Sequence, residues 1–378
     1  MRTHWIIAIV LIVCLAAGGV WFLTRSSPES GAPVLRVGVV FPLSGDAASY
    51  GEKGRQAIEL AKREIDHHLP FSVQVIYEDS RAEPATGVSA VQKLINVDHV
   101  QAIVGDIVSA VTLAAAPIAE KHSVVLLSPT SSAPALTNAG EYIYRIWPSD
   151  ALEGKAIAKW AATKGFRIAA ILHIQNDYGV AIADIFTREF EARGGKVVLQ
   201  HGYSQDTSDF RTPLTQIRQT APDVLYIAGY YGDSAAILRE ARQLRLDLQF
   251  LGTTAVEDPQ FLVLAEQAAN GMVYPLATGF DPAATDPKTK QFVEAFNKAY
   301  GHAPGWVEAH AYDAFNLIVE AAKRCEGHIT GQCIKKGLDA IGPYQGVTGT
   351  IAFDAHGDVT KPIQLKTVRD GTFSLLPE

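Results

Sequence analysis

Apolar, β-branched runs alternate with amphipathic stretches along most of this 378-residue chain. The runs "VLRVGVVF" (34–41), "FSVQVIY" (71–77), "QAIV" (101–104) and "SVVLLS" (123–128) predict strands. Between them, Ala57, Ile58, Leu60, Ala61 and Ile65 fall on one helical face, as do Val88, Val91, Leu94 and Ile95. A second series follows, with "RIAAILHI" (167–174), "KVVLQHGY" (196–203), "DVLYIAGY" (223–230) and "LQFLGTT" (248–254) separated by further helical patterns. Strands alternating with helices predict an α/β fold with a parallel sheet covered on both faces. Two successive series predict two similar lobes. The last hundred residues hold two long helical patterns, a shorter helix and the strands "GTIAFD" and "PIQLKTV", and are expected to complete both lobes.

The front of the chain breaks this pattern. From Trp5 to Leu23 there is no charge, and Arg2 and Arg25 bracket the run, which is long enough to span a bilayer. It fits an export signal or an uncleaved anchor, and "SSPESGAP" (26–33) reads as a linker. Cys14 would suit a lipoprotein, but the bulky Val13 before it does not. All of these place the rest of the chain outside the cytoplasm. Beyond Cys14 the only cysteines are Cys325 and Cys333, whose spacing permits a disulfide across a short loop. A metal site there has only His328 to offer as a further ligand, so no metal is expected.

Net charge of -7 gives no basic footprint and argues against a nucleic-acid partner. No Walker A loop, G-x-S-x-G elbow, H-E-x-x-H or strand-linked G-x-G-x-x-G occurs, so neither an enzyme nor a bound cofactor is expected. Each apolar strand instead ends in a small or polar cluster. "PLSGDAASYG", "GDIVSAVT" and "SPTSSAP" end the first series, and "NDYGV", "AGYYGD" and "GTTAVED" end the second. If all strands are parallel, these clusters gather on facing sheet edges across a cleft, where open α/β folds bind ligands. Ser109, Thr130 and Ser132 are the candidates for holding an anionic group through hydroxyls and loop N–H groups, with backbone capping as the plainer role. Tyr178, Tyr230 and Tyr231 face them from the second lobe, with Tyr230 favoured for the pocket and Tyr231 for helix packing.

The stretches "GVVFPLSGDAASYG", "GDIVSAVT", "LLSPTSSAPALT", "YRIWPSDALEG", "NDYG", "GYYGDSAAILREAR" and "AYDAFNLI" give the chain from about Val34 onward a further reading. In order and spacing they resemble the leucine/isoleucine/valine-binding protein family, the type I periplasmic solute-binding proteins of ABC transporters. The resemblance implies two Rossmann-like lobes joined by a three-strand hinge and closing on a solute. It implies lobe one at 34–149 and 278–362 and lobe two at 150–277 and 363–378, after a signal or anchor at 1–25. It assigns Ser109, the Thr130 N–H and the Ser132 hydroxyl to a solute carboxylate. Tyr50 and Tyr178 become aromatic pocket positions, Tyr230 a polar contact, Asp150 a residue of the first crossover and Trp306 a lid-side contact.

One departure stands out. Where the family places a glutamate for the solute's ammonium, this chain has Thr254, and Glu257 could substitute if the loop or the first helical turn is shifted. Without an ammonium partner, the solute would be an amine-free carboxylate or an amide. The implied role is a periplasmic receptor, possible tethering included, that delivers a branched-chain or related amino acid, or a similar carboxylate or amide, to an inner-membrane ABC permease. The alternative is a ligand sensor signalling through a partner chain.

Overall fold

The first apolar series forms β1 (Val34–Phe41), β2 (Ser72–Asp79), β3 (Ala102–Gly105), β4 (Val125–Ser128) and β5 (Ile143–Arg145). In the computed structural model, which describes residues 33–65, 69–277 and 279–376, these strands make one parallel sheet in the order β2-β1-β3-β4-β5. The interior strand β1 is buried throughout its second half, and β2 at the edge is only half-buried. Helices α1 (Ala48–Glu64), α2 (Pro84–Asn96) and α3 (Ser109–Lys121) connect the strands. The expected membrane segment and nearly all of its linker lie outside the described residues, and no described helix is long and apolar enough to cross a membrane.

The second lobe contains α4 (Asp150–Thr163), β6 (Ile168–Ile174), α5 (Asp177–Glu191), β7 (Lys196–Tyr203), α6 (Arg211–Thr220), β8 (Val224–Ala228), α7 (Tyr231–Gln243), β9 (Gln249–Leu251), α8 (Pro259–Ala265) and β10 (Val273–Ala277). Its helices cover a sheet whose strands β7, β6, β8, β9 and β10 run parallel. The chain then returns to the first lobe through α9 (Pro287–Tyr300), α10 (Trp306–Ala322) and α11 (Gly331–Asp339), with α10 packed on α1 and α11 against β4. "GTIAFD" does not extend either main sheet: Gly349–Ile351 (β12) pairs with Tyr344–Gly346 (β11) as a separate hairpin.

The expectation that every strand is parallel fails at the end of the chain. Strands β13 (Ile363–Arg369) and β14 (Thr372–Leu375) are antiparallel additions to the second sheet. The reason is direction of entry: the third crossover arrives at the cleft edge, so Ile363 pairs with Ala277, the last residue of β10, and the strand can only run away from the cleft.

Each lobe aims an aromatic ring at the cleft with the same device. Tyr50 precedes Gly51 at the start of α1, and Tyr178 precedes Gly179 at the start of α5. A Cβ on Gly51 would lie 2.0 Å from the Pro42 carbonyl oxygen, and one on Gly179 would lie 2.2 Å from that of Ile174. Glycine therefore lets each helix begin hard against the end of the preceding strand. The disulfide joins Cys325 and Cys333 with Cα atoms 5.8 Å apart, between α10 and α11, remote from the cleft.

Candidate functional site

The hydroxyl-rich loop after β4 is sorted by its hydrogen bonds. The Ser128 and Ser131 hydroxyls donate to the Asp106 carbonyl at 2.6 and 2.9 Å, and Thr130 donates to the Ile107 carbonyl at 3.2 Å. These bonds stitch the loop to the end of β3. They leave the Thr130 backbone N–H, not its hydroxyl, as the group to meet a ligand. The Ser109 Oγ accepts the N–H groups of Ser132 at 3.0 Å and Ala133 at 3.2 Å, so its own proton is available for donation. No side chain caps the N-terminus of α3, where Ser109 is the first residue, and the first-turn N–H groups and helix dipole add a positive potential at the same point.

Arg145 fixes this loop from behind, a role not read from the sequence. Buried at the end of β5, it donates to the carbonyls of Ser132 at 3.0 Å and Ala133 at 2.9 Å. Its other nitrogens hold both oxygens of Asp358, at 2.7 Å each, on the third crossover. Such a bidentate pair has fixed geometry, so the loop and two crossovers are held as one unit.

Ser109, Thr130 and Ser132 line a cavity of about 40 Å³ together with Tyr50, Trp147, Glu153, Tyr178, Tyr230, Thr254 and Trp306. That is scarcely more than one water's share of liquid volume, so a larger solute can enter only when the lobes part. On the far wall Tyr178 and Tyr230 stack with centroids 5.5 Å apart and planes 12° from parallel. The Tyr230 oxygen accepts from Asn176 at 3.2 Å and keeps its proton for donation. Tyr231 packs edge-on against Tyr50, at 5.1 Å, rather than lining the cavity. Trp147 and Trp306 lie 4.7 Å apart along one side.

The lobes touch around this cavity. Tyr50 donates to the Ala255 carbonyl, the Trp306 indole donates to the Glu257 carbonyl at 2.9 Å, and Ser49 and Lys53 reach Asp258 at 3.0 and 2.6 Å. Asp258 is fully buried and also accepts from the Gln260 N–H at the start of α8, so one carboxylate caps a helix of one lobe and receives a cation from the other.

Glu257 is not brought into the cavity. Its carboxylate pairs with Lys366 and accepts from the Tyr274 hydroxyl, on the side of a neighbouring groove of about 1000 Å³. The cause is the 3₁₀ turn Thr254–Val256, which carries the chain past the cavity before α8 begins. Thr254 does line the cavity, but its hydroxyl donates to the Pro275 carbonyl at 2.9 Å. Asp150 lies behind the wall rather than in it. Neither of its oxygens has a hydrogen-bond partner among the described residues, although the Ser132 hydroxyl beside it favours its charged form. Burial, then the charge of Glu153, raises the Asp150 carboxyl well above the usual range.

The acid that reaches the cavity is Glu153, one turn into α4 and 1% exposed. Its Oε1 accepts the Trp147 indole N–H at 3.1 Å. Burial pushes its carboxyl up to about 7, opposed by hydrogen bonding from Thr254 and Trp147. The stretch "YRIWPSDALEG" held the signal, since Asp150 and Glu153 lie three apart at a helix start, but which face they take depends on the crossover.

Comparison with known proteins shows the family and the fold. The family model for periplasmic binding protein matches residues 34–372. The leucine-, isoleucine-, valine-, threonine- and alanine-binding protein of Pseudomonas aeruginosa is 27% identical over 340 residues, 88% of this chain and 89% of the relative. The crystal structure of a leucine binding protein from Thermotoga maritima superposes with a TM-score of 0.85 at 28% identity, over 91% of this chain and 98% of that one. A solute binding protein of an ABC transporter from Rhodopseudomonas palustris, in complex with 3,4-dihydroxybenzoic acid, superposes with a TM-score of 0.79 at 26% identity, over 90% and 95%.

Proposed function

On the premise that the chain belongs to the periplasmic binding protein family, we propose that it is the receptor of an ABC importer for a branched-chain or related amino acid, or a similar small carboxylate. The observation that carries the reading is the state of Ser109: an oxygen saturated by two backbone N–H groups, a proton left to give, and an uncapped helix N-terminus around it. That arrangement accepts a carboxylate through charge-assisted bonds without bringing a full positive charge into the cavity.

Capture follows from the two walls. The solute docks on Ser109, Thr130 and Ser132 in the open clamp, and the second lobe then brings Tyr178 and Tyr230 over it. Because the lobes also meet through Asp258, Ala255 and Glu257, the solute has only to add contacts from both walls to bias the clamp toward closure. The closed form is what an inner-membrane permease would recognise, and a periplasmic location suits the family. A separate sensing role draws no support from the relatives, which are binding proteins.

The test is a thermal-shift and calorimetric screen of the purified protein against aliphatic and aromatic amino acids, their deaminated acids and small amides. A ligand that binds only the folded clamp raises its melting temperature with concentration. Stabilisation by carboxylates and not by their amides is the expected outcome. A panel in which only amides stabilise, or nothing does, would overturn the cradle.

A further inference from the structure

The two walls of the cavity differ in charge. Ser109, Thr130 and Ser132 present neutral donors, and opposite them a glutamate that is 1% exposed faces the same space. No ion pair involves Glu153 among the described residues, and no lysine or arginine figures among the groups acting on it. The groups around it are Asp150 on its own helix, Tyr178 on α5, Tyr226 on β8, and Trp147 and Thr254. Arg145 acts on Asp150 and is itself held by Asp358, while Lys361 bonds the buried His310 that packs on Trp147. A buried carboxylate without a cation is costly, and a second acid beside it increases the cost. Something that enters the cavity with a positive charge would relieve it.

We propose that Glu153 accepts the ammonium group of the solute, so that the cavity is built for a zwitterion with its carboxylate on the first lobe and its amine on the second. This rests on the reading of the cavity as the solute site. It also resolves the role left open at Thr254. That residue keeps an uncharged hydroxyl, and it touches the very glutamate that supplies the charge from α4 instead. The relative that binds dihydroxybenzoic acid shows that an amine-free acid is compatible with this fold at this level of identity, so the choice depends on this chain's own residues.

The assignment predicts a linkage that a merely structural glutamate would not show. With its carboxyl raised to about 7 in the closed clamp, Glu153 is partly protonated there at neutral pH, and an ammonium held against it displaces that proton. Amino-acid binding should release a fraction of a proton at pH 7, while binding of a deaminated acid should not.

The experiment is titration calorimetry at pH 7 in two buffers of different ionisation enthalpy, with L-leucine, L-valine and L-alanine against 4-methylpentanoate, 3-methylbutanoate and propanoate. Wild type, Glu153→Gln and the Ser109→Ala/Ser132→Ala double variant are compared. Glu153→Gln should weaken the amino acids by at least about 30-fold, as expected when one partner of a buried charge pair is removed, and abolish proton release. It should bind the deaminated acids at least as tightly as wild type, because a negative charge facing their carboxylate is removed, and circular dichroism should show the variant to be folded. Equal affinity of wild type and Glu153→Gln for amino acids overturns the proposal, as does an equal loss for both classes. Wild type that binds only amine-free acids overturns it too, while the receptor reading stands. If the double serine variant binds every compound like wild type, the receptor reading at this cavity fails, whatever Glu153 does.

Discussion

The two lobes solve the same geometric problem with opposite chemistry. Both begin a helix with a Tyr-Gly pair pressed against a strand end, and both gather polar residues at the cleft edge of a parallel sheet. The first lobe's wall is made of hydroxyls and backbone N–H groups whose positions are fixed by bonds to carbonyls and by Arg145. The groups that line it are neutral, although Asp106 behind them is pushed up to about 7 by burial. The second lobe's wall carries a buried acid and stacked tyrosines, and its charge depends on pH. One wall is prepared before the solute arrives, and the other is completed by it.

The largest effect should come from breaking the prepared wall. Ser109→Ala with Ser132→Ala removes two charge-assisted donors, each worth about 1.5 to 3 kcal/mol, so carboxylate affinity should fall by about 100-fold or more in calorimetry. Retained affinity would mean that the anion is held elsewhere.

A smaller effect should appear in stability and should distinguish the walls by pH. The Glu153 carboxyl is raised in the folded protein, from an ordinary 4.5 to about 7, so the fold binds more protons than the unfolded chain between those values. Its contribution is therefore fully present below about pH 4.5 and is lost as pH rises through about 7. The melting temperature of the unliganded protein should fall from pH 5 to pH 8, and Glu153→Gln should flatten that fall. Asp150, Asp106 and Asp233, all raised in the same direction by burial, should leave a residual slope. A variant with an unchanged slope would show that Glu153 is not the titrating group.

The smallest effect concerns what joins the walls. Lys53→Met removes the cation that reaches Asp258 across the cleft while Ser49 still bonds it. Because the lysine is partly exposed, affinity should drop by only about two- to tenfold, with faster solute release in stopped-flow. An unchanged release rate would remove this ion pair from the closure.

Much of this architecture is written in local pattern. The strands β1 and β7 lie where their β-branched runs place them, and the others differ at their ends by a few residues. The misses have identifiable causes. Ile143–Arg145 is too short to carry a period, and Val273–Ala277 contains Pro275, which argues against a strand with neighbours on both sides. The hydroxyl loop was legible as a candidate anion cradle only because similar clusters end successive strands, since a single Ser or Thr there more often serves the backbone. Which hydroxyls serve the backbone and which face the cavity was not legible, since that depends on the Asp106 and Ile107 carbonyls of a different strand. Glu257 and Glu153 show the same limit. Proximity in sequence to Thr254 favoured the first, but a 3₁₀ turn and a crossover decided for the second.

The aromatic side of the cavity has an optical consequence. Trp147 and Trp306 are two of the chain's five tryptophans, they sit 4.7 Å apart, and the indole of the second is bonded across the cleft to Glu257. Parting the lobes breaks that bond and admits water to both rings, which shifts indole emission to longer wavelength. The protein thus carries its own fluorophore at the moving seam, and opening and closing can be timed without attaching a dye.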